Sequence, residues 1–105
     1  MKYLRLKKQS DFQKLFHSGR RVFSQSLTMI VKNASATKMG ISIGKKHGKA
    51  VQRNRIKRLL REAFSQVVED LHGTYYVVLI PKVAEEYTLK TFKAHLQWMI
   101  KKNKL

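Results

Sequence analysis

The apolar positions of this chain change spacing along its length, from helical to strand-like and back. Phe12, Leu15 and Phe16 lie three to four residues apart or adjacent, sharing one face of a short helix. Ser10 followed by Gln13 is a candidate capping box that opens this helix, which runs to about His17 before Gly19 ends it. From Val22 to Val31 the chain becomes β-branched and apolar. Leu27, Met29 and Val31 alternate against Ser26, Thr28 and Ile30, which predicts a strand. Asn33 to Thr37 reads as a turn. A second strand follows from Lys38 to Gly44, with Met39, Ile41 and Ile43 on one face. Its other face, Gly40, Ser42 and Gly44, carries almost no side-chain bulk.

Gly44-Lys45-Lys46-His47-Gly48 predicts a loop, and a long helix runs from about Ala50 to Leu71. Its apolar positions Ile56, Leu59, Leu60, Ala63, Phe64, Val67, Val68 and Leu71 keep helical spacing until His72-Gly73 stops it. Tyr75 to Ile80 is a continuous apolar run of strand length closed by Pro81. A last helix, about Thr88 to Lys102, places Leu89, Phe92, Leu96, Met99 and Ile100 on one side. This order of elements predicts an α+β fold, an α/β sandwich around a small sheet. Its 105 residues suit a single domain, with residues 1–9 as a flexible basic arm.

Charge changes the picture from fold to function. The chain holds 23 Lys and Arg against 6 Asp and Glu, a net charge of +17. Residues 1–61 contain 17 of these cations and a single acid, Asp11, so a binding surface should draw on that part. Such one-sided charge repels itself unless counter-charge is near, and a phosphate backbone or an anionic membrane is the usual source. The absence of cysteine removes disulfides and thiolate metal sites and suits a cytoplasmic location. No apolar run has the length of a signal peptide or a membrane span, so no membrane partner is expected.

The densest segment is Lys45 to Arg61, with eight Lys and Arg and no acid. Arg53, Lys57 and Arg61 fall four apart and form one stripe, with Asn54 and Arg58 beside it. A generic solvated helix dilutes such charge with Glu, and this one does so only after Arg61. The pattern suits a phosphate-gripping helix in which Arg forks hold phosphates and Asn54 reads a base or caps a backbone group.

The run Ala50-Val51-Gln52-Arg53-Asn54-Arg55-Ile56-Lys57-Arg58-Leu59-Leu60-Arg61-Glu62-Ala63-Phe64 resembles the arginine-asparagine-arginine motif of the bacterial ribonuclease P protein family. Asp11 to Phe16 with Gly19 is similar to that family's first helix, and Gly40 to Lys46 to its third strand and basic loop. The resemblance implies a four-stranded sheet with about three helices. It also implies that strand 38–44, helix 50–71 and strand 75–80 form a parallel, left-handed βαβ crossover, ribosomal-protein-like. The general rule for such units is right-handed in ~98% of cases, so residue patterns alone would not reach this.

The resemblance implies two RNA sites. Lys49, Arg53, Asn54, Arg55, Lys57, Arg58 and Arg61 would bind the catalytic RNA. Phe12, Phe16, Ile30, Ser42, Lys45 and Lys46 would bind the 5′ leader of precursor tRNA in a cleft between the first helix and the sheet. Rings at Phe12 and Phe16 suit stacking of unpaired bases, although ordinary core packing is the competing reading for each. At Ile30 the chain departs from the family, which often has a tyrosine there.

The four histidines lack metal-ligand spacing, with His47 in the basic loop the one expected near RNA. Trp98 reads as a packed ring, and Glu85 and Glu86 as loop residues, too divergent for paired acid–base work. The expected role is therefore the non-catalytic subunit of an RNA enzyme, binding no cofactor itself. The RNA and its Mg²⁺ would hydrolyse the phosphodiester, and no obligate protein partner is implied. A ribosomal or RNA-assembly protein is the alternative, and a free-standing nuclease is opposed by the missing carboxylate constellation.

Overall fold

Burial of the alternating apolar positions sets the architecture. The computed structural model describes residues 3–105. At the centre, β3 (Leu27–Asn33) pairs antiparallel with β5 (Tyr75–Pro81). To one side, β4 (Lys38–Ile41) lies parallel to β5, and β1 (Leu4–Arg5) lies parallel to β4. To the other side, β2 (Arg20–Phe23) pairs antiparallel with β3, giving the order β1-β4-β5-β3-β2. The parallel neighbours β4 and β5 are joined through α2 (Ala50–Val67), the crossover that the resemblance implies.

Strand alternation gives the sheet two differently covered faces. Val22, Leu27, Met29, Val31, Met39, Val77 and Leu79 face α2 and α3 (Leu89–Lys102). There Ile56, Leu60, Ala63 and Phe64 from α2 meet Phe92, Leu96 and Met99 from α3 in the main core. On the opposite face, α1 (Gln9–Ser18) covers Ile30 and Val78 with Leu15, helped by Leu6 from just beyond β1. Three helices on a mixed sheet are the α+β arrangement expected.

Several local expectations need correction. Among the described residues the sheet has five strands, and the fifth comes from the expected arm. Leu4 and Leu6 donate backbone N–H bonds to Thr37 and Met39, Leu6 is buried, and Tyr3 stands edge-on to Phe64 with centroids 4.9 Å apart. Residues 1 and 2, also assigned to that arm, lie outside the described residues. The Ser10/Gln13 capping box does not form, because α1 starts two residues earlier, with Lys8 at its N-cap and no side-chain cap. The single strand read over Val22 to Val31 is a hairpin. It reverses at Ser24-Gln25-Ser26, where the Ser24 hydroxyl accepts from the Leu27 N–H at 3.2 Å. No Gly, Asn or Pro marks that turn; a serine side chain supplies the bond instead. Helix α2 ends at Val67, and a 3₁₀ turn, Val68–Asp70, takes the chain on.

Candidate nucleic-acid interface

Helix α2 divides its surface by residue type. Ile56, Leu60, Ala63, Phe64 and Val67 are buried against the sheet, which turns Asn54, Arg55, Arg58 and Arg61 outward to solvent. Arg53 and Lys57 are half-buried on the flank, and the Arg53 Nε is enclosed with no hydrogen-bond partner among the described residues. Lys49, exposed, precedes the first turn. The stripe at spacing four is thus graded, embedded at Arg53 and free at Arg61.

That flank faces a hollow of about 310 Å³ at the β1–β4 edge, lined by Tyr3, Arg5, Phe12, Gly40, Lys57 and Arg61 among others. Here a ring assigned to the leader and two cations assigned to the catalytic RNA share one cavity. Gly40 makes the meeting possible: a Cβ on it would lie 2.4 Å from Phe12 Cζ, so the ring rests on bare backbone. Tyr3 donates its hydroxyl to the Arg61 carbonyl at 3.3 Å. Burial raises its phenol above the ordinary tyrosine value, outweighing the Arg61 charge that favours the phenolate.

Of the residues expected at a leader cleft on the α1 face, several are accessible. Phe16 is 38% exposed one turn after half-buried Phe12, and Ser42 is half-buried where its N–H continues the β4–β5 ladder to Leu79. Ile30 is a correction. It is fully enclosed beneath α1, and Gly19 sits so close that a Cβ there would come 2.4 Å from Ile30 Cγ2. A side chain sealed in this way offers no wall to a ligand.

Lys45 and Lys46 project from a 3₁₀ turn, Lys45–His47, that follows β4. His47, expected near RNA, is instead buried and holds this turn in place. Its Nε2–H donates to the Pro81 carbonyl at 2.6 Å, which fixes the tautomer and leaves Nδ1 to accept from the Gly44 N–H at 3.2 Å. Gly48, at φ 108°, then turns the chain into α2, a conformation that costs glycine least. Replacing His47 with Ala leaves a buried carbonyl unpaired and is expected to cost about 1–3 kcal/mol. A urea titration that shows no change in midpoint would contradict this anchoring role.

Three residues in or near the hollow escaped the sequence reading, two lining it and one on the same sheet face as Gly40. Tyr3 and Arg5 belong to the segment taken as an arm, although the Tyr3-Leu4-Arg5-Leu6 alternation was a strand signal. Tyr76 lies on the same sheet face as Gly40 by register, half-buried, with the Lys38 ammonium 5.5 Å from its ring centroid. The continuous apolar run from Tyr75 concealed which of its residues face α1.

The family model for ribonuclease P matches residues 1–104 of this chain. The chain belongs to the ribonuclease P protein family. It is 34% identical over 103 residues to the ribonuclease P protein component of Macrococcus caseolyticus, covering 95% of this chain and 90% of that protein. The solved RNase P protein of Staphylococcus aureus superposes with a TM-score of 0.80 at 31% identity, over 95% of this chain and 94% of the other. That of Thermotoga maritima gives 0.83 at 25% identity, over 93% and 96%. As in the sequence reading, the ribonuclease P assignment spans nearly the whole chain. Among the described residues, no helix is long and apolar enough to cross a membrane.

Proposed function

We propose that this ribonuclease P protein is a cytoplasmic subunit that grips the catalytic RNA through α2 and the 5′ leader of precursor tRNA through the α1–sheet cleft. In this reading Lys49, Arg53, Asn54, Arg55, Lys57, Arg58 and Arg61 hold the RNA subunit. Phe12, Phe16, Ser42, Lys45 and Lys46 hold the leader, and no protein partner is required. The observation that carries it is that one hollow brings together Phe12 from the leader set and Lys57 and Arg61 from the catalytic-RNA set. Phe12 lies on Gly40 in the same hollow as Lys57 and Arg61, so a strand leaving the cleft meets phosphate-binding cations directly. Rings for bases beside cations for phosphates are what an unpaired strand needs. Hydrolysis falls to the RNA and its Mg²⁺, and the protein screens charge and positions the leader. The described residues bring no three His, Asp or Glu side chains together as a metal cluster.

Purified protein, cognate RNA and precursor tRNA test the reading together. Cleavage at the mature 5′ end should require the RNA and be stimulated by the protein at low Mg²⁺; cleavage by the protein alone, or no stimulation, would overturn it. For the cleft, Phe16→Ala should weaken binding of leader-bearing precursor by about 1–3 kcal/mol and leave mature tRNA binding nearly unchanged. A leader-length series read beside wild type checks this, because a cleft that holds the leader gains affinity as the leader grows.

A further inference from the structure

A second pair of rings lies at the opposite edge of the sheet from β1. Phe23, at the end of edge strand β2, is 60% exposed, and Trp98 on α3 is 49% exposed. The sequence had suggested that Trp98 is packed, and the structure corrects this. With Ser24, Gln25, Lys82 and His95, the two rings line a hollow of about 580 Å³.

The polar groups there are organised. The Lys82 ammonium donates to the Ser24 carbonyl at 2.6 Å, and His95 Nδ1 lies 2.6 Å from the Ser26 hydroxyl. The Lys102 ammonium stands 4.6 Å from the Trp98 ring centroid, a cation–π contact beside the hollow. No carboxylate is among the lining residues. Rings and ammonium groups without acids match a base and its phosphate.

We propose that this hollow is a second stacking site for single-stranded RNA, taking an unpaired base against Phe23 and Trp98 with Lys82 and Lys102 near its phosphates. Charge selects this occupant over a second copy of the chain. Two bodies of +17 each repel when brought together, whereas RNA supplies a π-face and negative charge at once. The site is separate from the leader cleft, so the two can fail independently.

Trp98 is the chain's one tryptophan, so its fluorescence reports on this hollow. The full chain is titrated with hexaadenylate RNA and with an abasic ribose-phosphate hexamer of equal charge. Hexaadenylate should quench Trp98 and the abasic strand should not. Phe23→Ala, an exposed position checked for folding by circular dichroism, should weaken the quenching isotherm about five-fold or more. Phe16→Ala, which removes a cleft ring, should leave the Trp98 response unchanged. Equal quenching by both strands, or by neither, overturns the proposal. So does a protein-concentration-dependent emission shift without RNA accompanied by dimers in sedimentation, which would give the hollow to a second copy.

Discussion

Affinity for the catalytic RNA is expected to fall by roughly 10³-fold or more between about 50 and 200 mM salt. The warrant is the surface of α2 joined to the hollow beside it. Asn54, Arg55, Arg58 and Arg61 are exposed, Arg53 and Lys57 flank them, and Arg5 faces the same cavity as Lys57 and Arg61. Each phosphate neutralised releases condensed counterions, so the logarithm of affinity should decline linearly with the logarithm of salt, by about 0.7–0.9 per contact. Filter binding across a salt series measures that slope. A flat response would mean apolar contacts dominate, and α2 would then not be the phosphate grip.

The core was legible from sequence wherever periodicity was long and unbroken. Helix α2 declared itself through Ile56, Leu60, Ala63, Phe64 and Val67, and α3 through Phe92, Leu96, Met99 and Ile100, all of them buried as expected. The elements that were missed are short or carry unusual turn chemistry. Strand β1 has two residues, the Tyr3-Leu4-Arg5-Leu6 alternation around it is short and set among lysines, and its pairing with β4 depends on a partner more than thirty residues away. The β2–β3 reversal uses a serine hydroxyl, so in the sequence the alternation runs straight through it.

The candidate site was legible by charge and by resemblance, but side-chain access was not. Ile30 and His47 both sit in segments where candidate residues cluster, and both turn inward, one under α1 and one against Pro81. Trp98 errs in the other direction. It lies on a helix with a good apolar stripe, but Leu96, Met99 and Ile100 fill the core and leave the indole outside. Which face a residue takes on a helix depends on a small rotation of the whole stripe, and a ring one position off the stripe is easily misplaced.

The triple substitution Arg55→Ala, Arg58→Ala and Arg61→Ala should separate binding from folding. All three side chains are exposed, whereas Arg53, with its buried Nε, is embedded in the flank and makes a poorer probe. Exposed substitutions usually move stability by less than about 0.5 kcal/mol. Arg55, Arg58 and Arg61 are spaced three apart on one helix, so removing them also relieves like-charge repulsion and should not lower the melting temperature. Binding should suffer instead. A contact to a charged group contributes about 1.5 kcal/mol at the low end, so three, discounted for screening, should cost on the order of 10²–10³-fold in affinity. The salt slope should shrink by about two to three in the same variant, since three fewer phosphates are neutralised. That second readout distinguishes lost phosphate contacts from a general distortion of the helix. A variant that melts like wild type and assembles equally tightly with an unchanged slope would remove α2 from the RNA interface. A large fall in melting temperature would show instead that these arginines pack against the domain.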